Sequence, residues 1–316
     1  MSRFLFLCYS SRGGVCPRAG AFLSRKILRL SVPRRITVKT IVVTGGTSGI
    51  GQALANTYLG RGDQVVVLGP DPVKGKKFLD TAQRVGAADR AFFIEADLSL
   101  VSENQRVIAE IKDRFAAVDV LVLCARYFRS HRMVTSEGIE HNFALYYLSR
   151  YLLGYGLADL MNKAEAPVVM NVAGPGVGAP GIQWDDLGFE RNYDGWSAMF
   201  QGGRLNDLLG VSFAEGGSTR RARYVLLFPG GTRTGFAGEF DAATAAHIDQ
   251  MKRAAQPVEF TVPPILEIID APPREPLSAF VEGTPLSLLR PAFDKGSAAR
   301  LDSITRELLR DRVRAS

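Results

Sequence analysis

Residues 40–51 read Thr-Ile-Val-Val-Thr-Gly-Gly-Thr-Ser-Gly-Ile-Gly, a β-branched run that opens straight into a glycine-rich turn. A buried strand, a tight turn and a helix start in this order restrict the chain to few architectures. The helix N-terminus presents free backbone N–H groups and the positive end of its dipole at the turn, a place suited to a phosphate group. Gly45 allows the tight bend, Gly49 lets backbone approach a pyrophosphate, and Gly51 lets the helix pack closely on the sheet. Thr47, Ser48 and Ile50 complete the turn and belong to the same candidate binding set.

Apolar runs and helical patterns alternate beyond the turn. Strands are expected at Thr40–Thr44, Gln64–Leu68, Ala91–Glu95, Asp119–Leu123, Val168–Val172, Tyr224–Phe228 and Leu277–Glu282. Helices are expected over 49–61, 73–86, 101–116, 137–164, 197–215, 257–269 and 294–312. The Gly/Pro-rich stretch from Gly174 to Gly195 reads as a loop, and the Gly/Ala/Thr-rich segment 230–256 as a mobile flap. Such alternation predicts one α/β domain over residues 39–316, a single Rossmann-type doubly wound parallel sheet with helices on both faces.

Charge is unevenly placed. The formal net charge is +7, but residues 1–39 hold nine basic residues and no acid, and the first acid is Asp63. Setting those nine against +7 leaves −2 for residues 40–316. Basicity therefore gives no reason to expect nucleic-acid binding by the domain. Residues 1–38 read as a basic disordered extension, transit-like or upstream sequence from a miscalled start. The expected location is cytoplasmic, or mitochondrial if the host is eukaryotic and the segment is a transit peptide. No apolar run reaches the length of a membrane span. Cys8, Cys16 and Cys124 are too scattered for a disulfide framework, and His131, His141 and His247 lack ligand spacing, so no metal is expected.

Asp97, with Leu98 after it, stands at the end of the third strand, where a carboxylate can accept a hydrogen bond from an adenine amino group. As a cap for the helix at 101, Ser99 and Ser102 are better placed than Asp97. The set Thr44–Gly51, Asp97-Leu98, Asp119–Ala125, the helix around Gly138–Leu153, Asn171-Val172 and Pro229-Gly230-x-x-x-Thr234 resembles the short-chain dehydrogenase/reductase superfamily, nearest its retinol-dehydrogenase-like branch. The resemblance runs from about residue 39 to the C-terminus. It implies NAD or NADP as cofactor, NADP being slightly favoured. Cys124, Ala125, Pro229, Gly230 and Thr234 join the cofactor-binding set.

The same resemblance implies a catalytic Asn, Ser, Tyr and Lys. Those positions hold Tyr146, Gly174, Met199 and Gly203. A register one residue later offers Phe200 and Arg204, which restores a charge but no proton donor. Tyr146 and Arg204 are the substitute candidates. Tyr127, Tyr193 and Asp194 border the same loops, with packing or surface placement the more ordinary reading of each. Arg126 stands where the family has a glycine beside the nicotinamide ribose. Gly69-Pro70 replaces the acid or arginine that would read the adenosine ribose. Lys74, Lys76 and Lys77 lie near a 2′-phosphate position, though on a helix they suit a solvated face. Trp184 and Trp196 are expected as an apolar wall.

Three functions remain open on the sequence. One is an NAD(P)-dependent oxidoreductase with a rearranged active site for a bulky apolar small molecule. Another is a non-catalytic dinucleotide-binding or scaffold protein. The third is an ordinary alcohol or ketone reductase with a substitute proton donor. A homo-oligomer is compatible with each.

Overall fold

The computed structural model describes residues 38–176, 181–217 and 220–315; the expected extension over 1–38 lies almost wholly outside the described residues. Residues Val38–Ser316 form one compact unit. Its centre is an eight-stranded sheet of β1 (Thr40–Thr44), β2 (Gln64–Gly69), β3 (Ala91–Glu95), β4 (Val120–Leu123), β6 (Val168–Val172), β7 (Arg223–Phe228), β9 (Leu277–Val281) and β10 (Thr284–Pro285). The spatial order is β10-β9-β7-β6-β4-β1-β2-β3, and every pairing is parallel except that of β10 with β9. The chain winds outward in both directions from β1, so the strand order reverses between β1 and β4. A ligand crevice forms at such a reversal.

Alternating side chains supply two cores. Ile41, Val43, Val65, Val67, Val120 and Val122 face one side, packing against α1 (Gly49–Arg61), α2 (Pro72–Arg84) and α9 (Val258–Asp270). Val42, Val66, Leu68, Leu121 and Leu123 face the other, where α3 (Val101–Arg114), α5 (Ser149–Gly156), α7 (Gly195–Ala214) and α10 (Lys295–Ala315) lie. Burial on both sides explains why the strands read as continuous apolar runs.

Three local expectations need correction. The helix expected over 137–164 starts at His141, after Gly138 takes φ +74° and Glu140 caps the N-H groups of Asn142 and Phe143. It runs as α4 (His141–Phe143), a π-turn (Ala144–Leu148), α5 and α6 (Ala158–Met161). The π-turn falls where Phe143, Tyr146 and Tyr147 crowd one segment, and such wide turns are frequent at functional sites. The segment 230–256, expected as a flap without regular structure, carries two elements. It contains β8 (Gly238–Glu239), paired in parallel with β5 (Phe128–Arg129), and α8 (Ala242–Ala254), capped by Asp241. Finally, neither Ser99 nor Ser102 caps α3. Glu137, distant in sequence, accepts from Val101 N at 2.5 Å and Ser102 N at 3.0 Å. No helix among the described residues is long and apolar enough to cross a membrane.

Candidate cofactor and active site

The glycine turn is built by close approach. Gly45 has φ +66°, and a Cβ there would stand 3.0 Å from the Ala125 backbone. A Cβ on Gly51 would stand 2.5 Å from the Gly45 carbonyl oxygen. Neither position admits a side chain. Gly49 has φ +54°, and the space its missing Cβ leaves is met by Thr234, whose Cγ2 would lie 2.9 Å away. The loop after β7 thus reaches the gap that the sequence assigns to a pyrophosphate. Other helix starts are held by carboxylates, among them Asp71, Glu140, Asp194 and Asp241. At α1 Ser48 makes no side-chain cap, and among the described residues no side chain is seen accepting from the first N–H groups of this helix. An anionic group fits there without displacing a cap. A cleft of about 410 Å³ opens beside the turn, lined by Gly49, Gln52, Asn56, Arg233 and Thr234 among others. Arg233 adds a cation facing the same space, a residue with no sequence signal beyond its place in a loop.

On the β3 side, Asp97 is exposed, and one carboxylate oxygen accepts from Ser99 N at 2.9 Å and Ser99 Oγ at 2.7 Å. Its second oxygen remains available to a donor. Leu98 is core, 3% exposed, so only its backbone can serve a ligand. Thr47 stands beside Gly69, and Ile50 packs against the core. Lys74 pairs with Asp71 at 3.4 Å and Lys76 with Asp80 at 2.8 Å, both exposed on α2. Those two lysines behave as a solvated helix face.

The ends of β1, β4 and β6 are tied together. The Thr44 hydroxyl accepts from Cys124 N and Ala125 N, both at 3.1 Å. Burial pushes the Cys124 thiol up to about 12, so it is an inert packing group. Arg150, 2% exposed, donates to Val172 O at 3.0 Å, to Ala125 O at 3.1 Å and to the Asn171 side-chain oxygen. Asn171 in turn donates to Asn206 Oδ1 at 2.9 Å and Tyr224 Oη at 2.8 Å. Burial holds the Arg150 guanidinium below its usual range.

The positions implied by the family converge here, with different chemistry. Tyr146 is 5% exposed. Its ring lies against α7, where a Cβ on Gly202 would meet Cδ1 at 2.5 Å, and beneath Arg150, whose Cζ is 4.5 Å from the ring centre. Gly203 faces the Gly174 carbonyl oxygen, which a Cβ would approach to 3.7 Å. Met199 accepts a weak contact from Arg126 at 3.4 Å, and Arg126 also lies over the Phe236 ring at 4.4 Å. Arg204 is not a free cation: it pairs with fully buried Asp207 at 2.8 Å. Asp207 also accepts from Gly176 N at 3.0 Å, and burial pushes its carboxyl up to about 7.

Tyr193 donates to Arg129 O at 3.2 Å, Tyr127 contacts Glu239 at 3.4 Å, and Asp194 caps α7, so all three have structural partners. Trp196 joins an aromatic group with Phe128 (4.8 Å between centroids) and His247 (5.3 Å), and Phe128 also meets Phe236 and Phe240. Trp184 instead stacks under Arg300 of α10. Pro229 and Gly230 (φ +86°) lead into the Thr234 loop, with Gly230 held close to Glu282. Among the described residues no group of three or more His, Cys, Asp or Glu side chains gathers. Besides Arg233, sequence reasoning missed Arg150 and Asp207. The signal for each was a charge within an otherwise apolar helical run.

Residues 39–184 match the model of the short chain dehydrogenase family. The chain is 31% identical over 170 residues to the NmrA-like family domain-containing oxidoreductase notO of Aspergillus sp., covering 52% of each chain. It is 28% identical over 205 residues to human retinol dehydrogenase 13, covering 64% of this chain and 61% of that one. The chain thus spans about half the length of the curated relatives it matches first. Among solved structures, an uncharacterized protein from Mycobacterium Paratuberculosis superposes with TM-score 0.64 at 22% identity, covering 85% of this chain and 92% of that one. An NADPH-bound carbonyl reductase from chicken fatty liver superposes with TM-score 0.59 at 15% identity, covering 80% and 100%. Residues 39–184, which carry the glycine turn and the strands through β6, are thus similar to the short chain dehydrogenase family, and the reversed parallel sheet shares the fold of these solved structures.

Proposed function

We propose that this chain is an NAD(P)-binding oxidoreductase with a rearranged active site that handles a bulky apolar small molecule. The observation that carries the reading is the uncapped start of α1 at a turn of glycines, beside a cleft that Arg233 faces. The N–H groups at 49–51 and Arg233 would hold the pyrophosphate, and Asp97 the adenine amino group. A nicotinamide, when bound, supplies or accepts a hydride. Solved relatives in fold are described as bound to NADP or NADPH, which supports the phosphorylated dinucleotide over NAD. Phe128, Trp196, Phe236 and Phe240 supply an apolar wall. Gly174, Met199 and Gly203 leave no positioned acid at the family's places, and Tyr146, buried against α7, is the phenol that an ordinary reductase would have to use instead. A non-catalytic dinucleotide-binding protein is the second reading, favoured by the lack of any hydroxyl or amine at Gly174, Met199 and Gly203.

Calorimetric titration tests the binding. Wild type should bind NADPH or NADH, and Gly49→Asp, which sets a carboxylate against the turn, should not. No heat from wild type at millimolar dinucleotide overturns the proposal. Absorbance of the reduced nicotinamide over a carbonyl panel then separates the readings. A missing positioned acid is worth about 10²–10⁴-fold, so generic ketones should turn over near background. Brisk turnover that Tyr146→Phe abolishes would make this an ordinary reductase.

A further inference from the structure

Arg150 is a buried cation without a counterion. Among the described residues its polar partners are all neutral oxygens: Asn171 Oδ1, Val172 O and Ala125 O. The ionisable groups that act on it are Tyr146, Tyr224, Cys124 and Arg126, none of them a carboxylate. Its Nε has no hydrogen-bond partner. Burying an unpaired charge is costly, so a protein that keeps one needs a reason.

Its place in the fold suggests the reason. The carbonyls it joins follow β4 and end β6, the strands flanking the crevice on the side away from β3. A dinucleotide with its adenine near Asp97 and its pyrophosphate at the β1 turn directs its other half over those two strand ends. Arg126 stands at the same place, exposed on the loop after β4 and bridging to Met199 and Phe236. The other arginines nearby each have a carboxyl partner: Arg204 is hydrogen-bonded to Asp207, and Arg129 is paired with Glu239. Two unmatched positive charges therefore flank the position of the nicotinamide.

We infer that Arg150 and Arg126 make this site selective for the reduced dinucleotide. Oxidised nicotinamide carries a positive charge, and the reduced ring is neutral. Repulsion from buried Arg150 through a poorly screened interior, with a weaker contribution from exposed Arg126, weakens the oxidised form alone. The rest of the molecule, adenosine and pyrophosphate, is identical in both. The device releases oxidised product readily and sets the protein to work in the direction of reduction. This inference rests on the dinucleotide reading above.

The test compares NADPH with NADP⁺ by calorimetry at one ionic strength, with 2′,5′-ADP as the probe of the adenosine half. Wild type should bind NADPH at least about tenfold more tightly than NADP⁺, the scale of one repelling charge in such surroundings. Arg150→Gln should bring the ratio toward one, Arg150→Lys should retain most of it, and 2′,5′-ADP should bind all variants alike. Should Arg150→Gln not fold, exposed Arg126→Gln gives the same reading without risk to the core, as a partial fall in the ratio. Equal affinity of wild type for NADPH and NADP⁺ overturns the inference and leaves the dinucleotide reading intact. A ratio unchanged in both Gln variants overturns it as well. Failure of every probe, with NADH and NAD⁺ failing as well, overturns the dinucleotide reading and this inference with it.

Discussion

Asp207 should make the protein less stable as the medium goes from mildly acidic to neutral. Its side chain is fully buried, one oxygen takes Gly176 N and Arg204, and the other has no partner. Burial outweighs those two favourable contacts and raises the carboxyl from 3.8 to about 7. The folded protein then keeps a proton that the unfolded chain has released between about pH 4 and 7. A raised folded value means stability that is complete below the unfolded value and is lost as pH climbs through the folded one. Three units correspond to about 4 kcal/mol at most. At roughly 2–4 °C per kcal/mol for a domain of this order, the melting temperature should drop over that window by up to about 8–16 °C. Asp207→Asn keeps the shape and an acceptor for Gly176 N but removes the titration. Thermal melts of both proteins at steps from pH 4.5 to 7.5 give a difference curve free of other groups. His141, lowered to about 4 by burial, tilts both proteins the opposite way and cancels. Parallel curves for wild type and Asp207→Asn would refute the reasoning.

Glycines offer a paired test. Gly60 is exposed at the end of α1 with nothing within 4 Å of a Cβ, so Gly60→Ala should stabilise by about 0.5–1 kcal/mol in chemical denaturation. Gly202→Ala gains the same propensity but drives a methyl into Tyr146, and should destabilise by about 1–3 kcal/mol. Cys124, in protein lacking residues 1–37 and hence Cys8 and Cys16, should resist Ellman's reagent at pH 8 until the fold is melted, since its thiol is held up near 12. Labelling of the native protein within minutes would contradict that. The same truncation should leave the melting temperature within a few degrees, because the first core strand begins at Thr40. A large drop would show that the removed segment packs on the body.

Strands and helices were legible wherever one period ran unbroken. Thr40–Thr44 and Val168–Val172 have the same bounds in sequence and structure because both faces of each are buried. The glycine turn was legible because only that residue fits Gly45 and Gly51. Segment 230–256 misled because its glycines hide a cap. Asp241 and the alanines after it start a helix, and β8 finds its partner about 110 residues upstream. The start of α3 was read correctly at Val101, but its cap could not be foreseen, since Glu137 arrives by tertiary contact. Tyr146, a substitute candidate on the sequence, packs its ring into the space left by Gly202 because a glycine there leaves room for it. Arg150 was overlooked because a lone arginine among Leu, Ser and Tyr reads as a surface residue until the fold buries it.

The small β5–β8 ribbon bears on how fast a ligand can come and go. It fastens the segment after β4 to the segment after β7 through Phe128 N to Ala237 O and Ser130 N to Glu239 O, both 3.0 Å. The Arg129–Glu239 ion pair and the Asp241 N bond to Ser130 Oγ at 3.1 Å add to the clasp. The aromatic rings of Phe128, Phe236 and Phe240 close over its inner side. Separating the two segments means breaking a hydrogen-bonded, partly desolvated seam rather than swinging a loop. Exchange of anything enclosed beneath it is then paced by local unfolding, and the amides of Phe128 and Ser130 are the reporters whose hydrogen exchange would time the opening.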